Sequence, residues 1–536
     1  MKKILMVLLV LTMAFTAFAG GGQEDTASDS ATPAASMEPV VFKYNNQAEP
    51  ESLDPHVTEG VPEANIARCL FENLVSYDPQ TLGPVPGVAE SWEVSDDGLT
   101  WTFKIRKDAK WSDGVAITAQ TVVDSWIRMV SPELAASYAY LPGMVIKGAN
   151  AYNSGDAGPE AVAIRALDDY TFQFDLVGPA PYVLGMLSHG SFSIVPMHTI
   201  EKFGTEWVRP ENIVTNGPFM LKNYIPQDKI VFEKSATYWD ADAVKLDEVI
   251  FYPIDDANTA INMFLQGDLD WLPEVPDARL DEMKLRDDYN INEAFITYYY
   301  EFNQTEPPFD DVRVRKAFAM SIDRQELIDR VARGGQSPAF GLTPPLAKYP
   351  AVVGFEESVA EAKRLLAEAG YPNGAGFPDT TLIYNTSEGH KRIAEYCQQK
   401  WAENLGIEIT IENQEWATFV ANRQEQNFEI ARAGWQGDYV DPNTFLEDLL
   451  HSASGNNDGK YNSAMYDGYL EEAKMMPEGQ ARYDVLAKAE ALAIGEDMAL
   501  MPFYYYTTMN WIDTDVWGGW YTTVLDVHPI KAIYKK

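Results

Sequence analysis

Cysteine is nearly absent from this chain: Cys69 and Cys397 are the two in 536 residues, too few for a disulfide framework. Cys397 stands four residues from both Ile393 and Trp401, on the apolar stripe of an expected helix, and reads as a buried free thiol. Histidine is scarce too. His56, His189, His198, His390, His451 and His528 are scattered, with none spaced to hold a metal on one helix face. There is no G-x-S-x-G elbow, no H-E-x-x-H and no C-x-x-C. The nearest approach to a phosphate loop, Gly455 to Tyr461, is one residue short and puts Tyr461 where Ser or Thr must reach magnesium; Gly374-Ala375-Gly376 lacks the third glycine of a dinucleotide fold. Many carboxylates are present, but abundance alone is no evidence for the paired acids of glycoside hydrolysis. The sequence therefore gives no specific support for an enzyme, and none for a metal or cofactor.

Positive charge is the scarce sign. Eighty acidic residues stand against 41 basic ones, a formal charge of −39, which repels nucleic acid and anionic lipid head groups. Long apolar runs are missing beyond the N-terminus. Lys2 and Lys3, the apolar stretch Ile4 to Leu11 and Ala17-Phe18-Ala19 have the pattern of a secretory leader, residues 1–19, too short to span a bilayer. No cysteine follows the expected cleavage site after Ala19, so a lipid anchor is not expected. Residues 20–38, rich in Gly, Ala, Ser, Thr and Asp, read as a flexible tether. The mature protein is expected to be exported, soluble and monomeric.

What is present is ample apolar and aromatic content, 13 Trp, 28 Tyr and 24 Phe, in a chain long enough for about three domains. Val40 to Tyr44 reads as a strand, and Pro62 opens a helix expected to run to Leu74 on Ile66, Leu70 and Leu74. Trp101 to Arg106 alternates as a half-buried strand, and Thr118 caps a helix to Val130. Strands are expected at 170–176 and 230–233, with an Asn-Gly-Pro turn at Asn216-Gly217-Pro218 between them. Beyond Tyr298 to Asn303, helices at 311–321, 358–369 (closed by Gly370) and 391–404 (closed by Gly406) alternate with strands at 382–384 and 407–411. That alternation makes an α/β domain.

One stretch combines charge of both signs with glycine. Ala431-Arg432-Ala433-Gly434-Trp435-Gln436-Gly437-Asp438-Tyr439 offers a cation, an anion and two glycines whose bare backbone lets another chain approach. A short peptide, itself a zwitterion, suits such a place; a loop with solvated charges is the plainer reading.

These residues, with Ser52-Leu53-Asp54-Pro55-His56, Glu59-Gly60-Val61-Pro62-Glu63, Ala109 to Gly114, Asn212 to Gly217, Asp311 to Arg315, Tyr384 to Ser387 and Asn413 to Trp416, occur in the order found in a known family. The chain resembles the periplasmic oligopeptide-binding proteins of bacterial ABC peptide importers, solute-binding protein family 5. The resemblance implies an α/β, three-domain, bilobal periplasmic binding protein of the class II or cluster C type, with its ligand cleft between the lobes. It implies a discontinuous first domain of 39–72, 197–295 and 508–536, a second of 73–196 and a third of 296–507. It also implies a receptor that closes over short peptides and delivers them to an inner-membrane permease, in the periplasm, without catalysis.

By the same resemblance Asp438 pairs with the peptide α-amine, and Arg432 and His390 lie near its carboxylate. Glu59, Val61, Tyr138, Tyr299, Glu301, Trp416, Arg423, Gly434, Trp435 and Tyr506 line or gate the cavity. A family lysine falls on Ala332, a departure beside which stands Arg333. Each has a plainer alternative: Glu301 with Arg423 as an ordinary ion pair, the tyrosine runs 298–300 and 504–506 as core strands, His390 as a surface helix start. Murein peptides, dipeptides, nickel or haem are alternative ligands on the same fold, and an exported hydrolase is the reading from another class.

Overall fold

Two long strands run through the molecule, and the computed structural model, which describes residues 38 to 536 with Glu59 excepted, arranges the rest about them. The large sheet contains β1 (Val41–Asn45), β2 (Phe219–Ile225), β3 (Lys229–Lys234), β4 (Glu248–Tyr252), β5 (Trp271–Leu272), β6 (Tyr289–Phe302), β7 (Ser337–Pro338), β8 (Thr381–Asn385), β9 (Thr410–Gln414), β10 (Ile430–Gln436) and β11 (Leu500–Ile512). They lie in the order β9-β8-β10-β6-β11-β5-β1-β4-β3-β2, with β7 paired to β11. The central pair, β6 and β11, is antiparallel, and its register slips between Glu293↔Thr507 and Thr297↔Tyr505. At that slip the Phe295 N–H donates instead to the Val524 carbonyl at 2.6 Å.

Two large cores flank these strands. One gathers Phe42, Phe251, Trp271 and Ile512 from the sheet with Trp126 and Phe172. Phe172 belongs to a separate antiparallel sheet of Ala89–Val94, Thr100–Ile105, Thr171–Asp175 and Ile164–Asp168, in that order. The other core packs Tyr298, Tyr300, Phe318, Trp401, Leu486 and Phe503. The mixed α/β class expected from the sequence is the class found. Strands alternating with helices bury one face of each against the sheet and account for both cores.

The helices used below are α1 (Val61–Leu70), α2 (Ala119–Met129), α3 (Val312–Met320), α4 (Val359–Glu368), α5 (Glu388–Leu405), α6 (Trp416–Gln424) and α7 (Asn443–Leu450). Their ends follow from local chemistry. Thr118 and Thr121 exchange hydroxyl and backbone N–H bonds at 3.4 and 3.1 Å, a capping box at the start of α2. Asp311, Ser358 and Ser387 cap α3, α4 and α5, and Gly406, at φ 71, closes α5 in the left-handed region that favours glycine.

Three boundaries differ from expectation, the first being the start of α5, at Glu388 rather than 391, where Ser387 caps it. Helix α1 stops at Leu70 rather than Leu74, because Phe71 is already extended (φ −127, ψ 147). The Asn216 side chain holds both the N–H and the carbonyl of Glu72, at 3.0 and 2.9 Å, and Gly217 N–H donates to Leu70 at 2.8 Å. The turn at 216–218 thus captures the backbone that would have continued the helix. Strand β9 begins at Thr410, while Ile407 and Ile409 are buried in the link before it. Cys69 and Cys397 are free and buried. No helix among the described residues is long and apolar enough to cross a membrane. The expected leader, and the tether up to residue 37, lie outside the described residues.

Candidate functional site

A cavity of about 360 Å³ lies where the two central strands meet α1, lined among others by Val61, Arg68, Tyr138, Ile296, Trp435 and Asp438. Val61, Ala64 and Arg68 reach it together because they stand three and seven residues apart, one face of α1. Ile296 comes from the slip in β6, and Thr508, the partner of Asn292, from β11.

Asp438 follows β10 directly. Its backbone N–H donates to the Thr444 hydroxyl at 3.1 Å, and one carboxylate oxygen accepts from the Tyr140 hydroxyl at 2.9 Å. Among the described residues no cationic side chain forms an ion pair with it. Burial pushes its pKa up to about 6, against the pull of the Tyr140 hydrogen bond. Asp448, on α7, is buried nearby; burial first, and then the charge of Asp438, push its carboxyl well above the usual range. His189, also on the cavity wall, is held near 4 by burial and stays neutral at neutral pH. An ammonium entering here meets one acceptor pair with no competing cation bonded to it.

At the other end of β10 the signs reverse. The Arg432 guanidinium donates to Asn385 Oδ1 at 3.3 Å and to the Tyr506 hydroxyl at 3.1 Å, and its centre lies 5.0 Å from the Tyr298 ring. Its Nε is buried without a partner, as is Nδ1 of His390. His390, in the first turn of α5, packs its ring 5.6 Å from Tyr298; burial and then the neighbouring Arg432 lower its pKa to about 3. The structure thus brings Arg432, His390 and Tyr506 together. A cation with only neutral acceptors and a neutral imidazole with a free buried nitrogen suit a carboxylate.

Between these ends β10 leaves an edge open. It pairs with β6 along its whole length, but with β8 only at Ile430 and Ala431. The other edge of Arg432 to Gln436, roughly 13 Å at strand rise, has no ladder partner. At Gly434 the Arg432 side chain folds close: a Cβ there would stand 3.3 Å from the guanidinium, which would have to shift slightly to admit it. Gly437 is required for a different reason from the one the sequence suggested. A Cβ would strike the Phe295 ring, and the Gly437 N–H is already donated to Phe295 at 2.9 Å, so this glycine serves packing and offers no donor.

The remaining residues fall into separate places. Glu301 and Arg423 form an ion pair at 3.0 Å that Asp458 completes at 3.0 Å on the same nitrogen. Tyr299 is buried beside this triad rather than on the cavity wall. Trp416, opening α6, is 57% exposed and is not part of the wall. Tyr298, Tyr299 and Tyr300 are all buried, whereas Tyr506 is half-buried. Arg333 does not reach back to the place of Ala332; it pairs with Asp281 at 2.7 Å on the surface. Glu59 lies outside the described residues. No cluster of three or more His, Cys, Asp or Glu among the described residues is arranged to hold a metal.

Sequence reasoning missed Tyr140, His189 and Arg68. Tyr140 is 298 positions from Asp438 and carried no signal. Arg68 was within reach, since Val61 was named and seven residues on is the same helix face.

The family model of the bacterial extracellular solute-binding proteins, family 5 Middle, matches residues 83–457. The periplasmic oligopeptide-binding protein OppA of Escherichia coli is 39% identical over 513 residues, 94% of this chain and 93% of that protein. A crystal structure of a Borrelia burgdorferi periplasmic oligopeptide-binding protein, OppAIV, superposes with a TM-score of 0.82 at 37% identity, over 93% of this chain and all of that one. Haemophilus influenzae OppA in complex with the peptide RPPGFSPFR gives 0.79 at 35%, over 93% and 99%. With the family model spanning most of the chain and relatives similar over nearly their full length, this chain belongs to the bacterial extracellular solute-binding proteins of family 5.

Proposed function

We propose that this protein is an extracytoplasmic receptor that captures short peptides and hands them to an ABC importer, without itself catalysing a reaction. One observation carries the reading: a single strand, β10, has an unpaired edge with a cation lacking an acid at one end and an acid lacking a cation just past the other. A peptide lying along that edge adds as a further strand, its backbone supplying the missing ladder and its two charged termini the missing counter-ions. The open edge matches an extended peptide of about four residues. The names of the similar proteins, and the peptide held by the Haemophilus relative, support the same class of ligand.

In this reading Asp438 receives the amine, Arg432 and His390 receive the carboxylate, and Val61, Tyr138, Gly434, Trp435 and Tyr506 border the ligand. Glu59, Tyr299, Glu301, Trp416 and Arg423 complete the gate. The protein acts as a periplasmic monomer after removal of residues 1–19. The three-domain division at 39–72, 197–295 and 508–536, at 73–196, and at 296–507 places the hinge at 295/296 and 507/508, where the β6–β11 register slips; a receptor that encloses both peptide ends must open there to load.

Native mass spectrometry of the purified protein, with identification of what it releases, tests the proposal. Peptide masses that vanish on denaturation are expected. A bound non-peptide, together with no calorimetric binding of tri- to pentapeptides, would refute it.

A further inference from the structure

The cavity holds a second charge that the two ends of the peptide do not use. Arg68 lies on the same face of α1 as Val61 and lines the cavity that Asp438 closes. Its one hydrogen bond is to Asn65 Oδ1 at 2.6 Å, a neutral acceptor on its own helix. No described carboxylate forms an ion pair with it. Asp526, also on the cavity wall, accepts from Asn510 and bonds His528 on a single oxygen, both at 3.0 Å, and acts on Arg68 through space without forming an ion pair with it. A guanidinium carries several N–H donors in a planar fork, matched to a carboxylate, and those of Arg68 beyond the Asn65 bond have no acceptor among the described residues. Burial lowers the pKa of Arg68, against the pull of Tyr77, Cys69, Tyr44 and Asp526. Tyr77, on the same wall, feels both Arg68 and Asp438, so the two opposite charges sit at one end of the cleft. Arg432, at the far end of β10, is not on this wall.

We infer that Arg68 is a specificity-determining residue: it receives a carboxylate of the ligand lying within one residue of the bound amine, and it disfavours a cationic side chain there. This rests on the reading that Asp438 holds the amine. Its effect opposes that of the whole molecule, whose charge of −39 draws in cationic peptides; salt screens that diffuse field and leaves a contact inside the cavity largely intact. Two sources supply a carboxylate so near the amine, the side chain of an acidic first residue and the terminal carboxylate of a dipeptide.

Calorimetric titration of the full-length mature protein separates them. One arm compares Glu-Ala-Ala, Gln-Ala-Ala, Ala-Ala-Ala and Lys-Ala-Ala; the other compares Ala-Ala with its C-terminal amide. Each is run on the unmodified protein, on Arg68→Met and on Arg68→Lys, at high salt. The unmodified protein is expected to bind Glu-Ala-Ala, or Ala-Ala over its amide, about tenfold more tightly than the cationic or amidated counterpart. Arg68→Met should abolish that ratio and Arg68→Lys should restore part of it. A preference in either arm identifies the source. Equal binding across both arms by the unmodified protein overturns the inference, whether or not the variants fold. So does an Arg68→Met variant that keeps the ratio. Failure of every peptide to bind would instead overturn the peptide-receptor reading, and this inference with it.

Discussion

Two sets of withdrawn charges in this molecule are built on opposite principles. Arg482 and Asp441 form a fully buried pair with two parallel bonds of 2.7 and 2.8 Å, and Glu301, Arg423 and Asp458 form a closed triad. Among the described residues, Asp438, Arg432 and Arg68 hydrogen-bond only to neutral partners. A buried charge is tolerable when paired, or when neutral groups satisfy it as they do Glu490 and Arg315, and costly when neither holds; Asp438 and Arg68 differ in facing a cavity, and Arg432 in lying on the open edge of β10, where counter-ions can come from outside. The comparison also separates similar residues: the triad beside Tyr299 satisfies itself, while Arg432 on β10 and Asp438 beyond it are the ones the proposed function leaves to a ligand.

The largest effect should come from breaking a closed pair. Arg482→Met strands the buried Asp441 carboxylate, and urea unfolding should show a loss of about 3–5 kcal/mol; a loss under about 1 kcal/mol would mean the pair is not what holds that region.

Breaking an open charge should do the reverse, weakening binding while sparing the fold. Asp438→Asn is expected to lower peptide affinity about a hundredfold or more, near 3 kcal/mol, by calorimetry at pH 7. Ligand-free, the variant should be the more stable protein. The Asp438 pKa is raised to about 6, so its contribution is fully present at low pH and is lost as pH rises through 6. Removing the charge should therefore gain about 1–2 kcal/mol at pH 7–8 and almost nothing at pH 4. An unfolding midpoint for Asp438→Asn that falls at pH 7 would mark Asp438 as structural.

The same carboxyl sharpens the comparison through pH. An ammonium pairs only with the ionised acid, so affinity should decline as pH drops below about 6, approaching tenfold per unit, in the unmodified protein. His189, whose pKa burial lowers to about 4, and the Tyr140 hydroxyl do not titrate in that window. Affinity flat from pH 7 to pH 5 would contradict the assignment.

How much of this was legible in the sequence differs by kind. Thr118 at the start of α2 and Gly406 at the close of α5 were legible because the bonds they make are local; the start of α5, expected at 391, came three residues earlier, where Ser387 caps it. The end of α1 was not legible, since Asn216 that decides it lies 144 residues from Glu72. Asp438 and Arg432 stood out because family resemblance and a glycine-aromatic word coincided on them. Their openness did not, because it depends on where β8 stops pairing with β10. Gly437 shows the same limit: the residue type was informative, but its cause, the Phe295 ring, comes from another strand.

A smaller effect is expected at the carboxylate end. Arg432→Ala and His390→Ala should each cost about tenfold for some peptide lengths and little for others, because the carboxylate moves along the cleft as residues are added. A calorimetric series from di- to pentapeptide reads this directly, and a uniform loss across lengths would assign both side chains to structure.

The central claim is that the cleft leaves charges bare for the termini of a peptide. It is tested most directly by titrating the unmodified protein at pH 7 with one tripeptide and its N-acetylated form. Acetylation removes the ammonium and leaves the rest of the peptide in place, so the account predicts at least about a hundredfold weaker binding; equal affinities would contradict it.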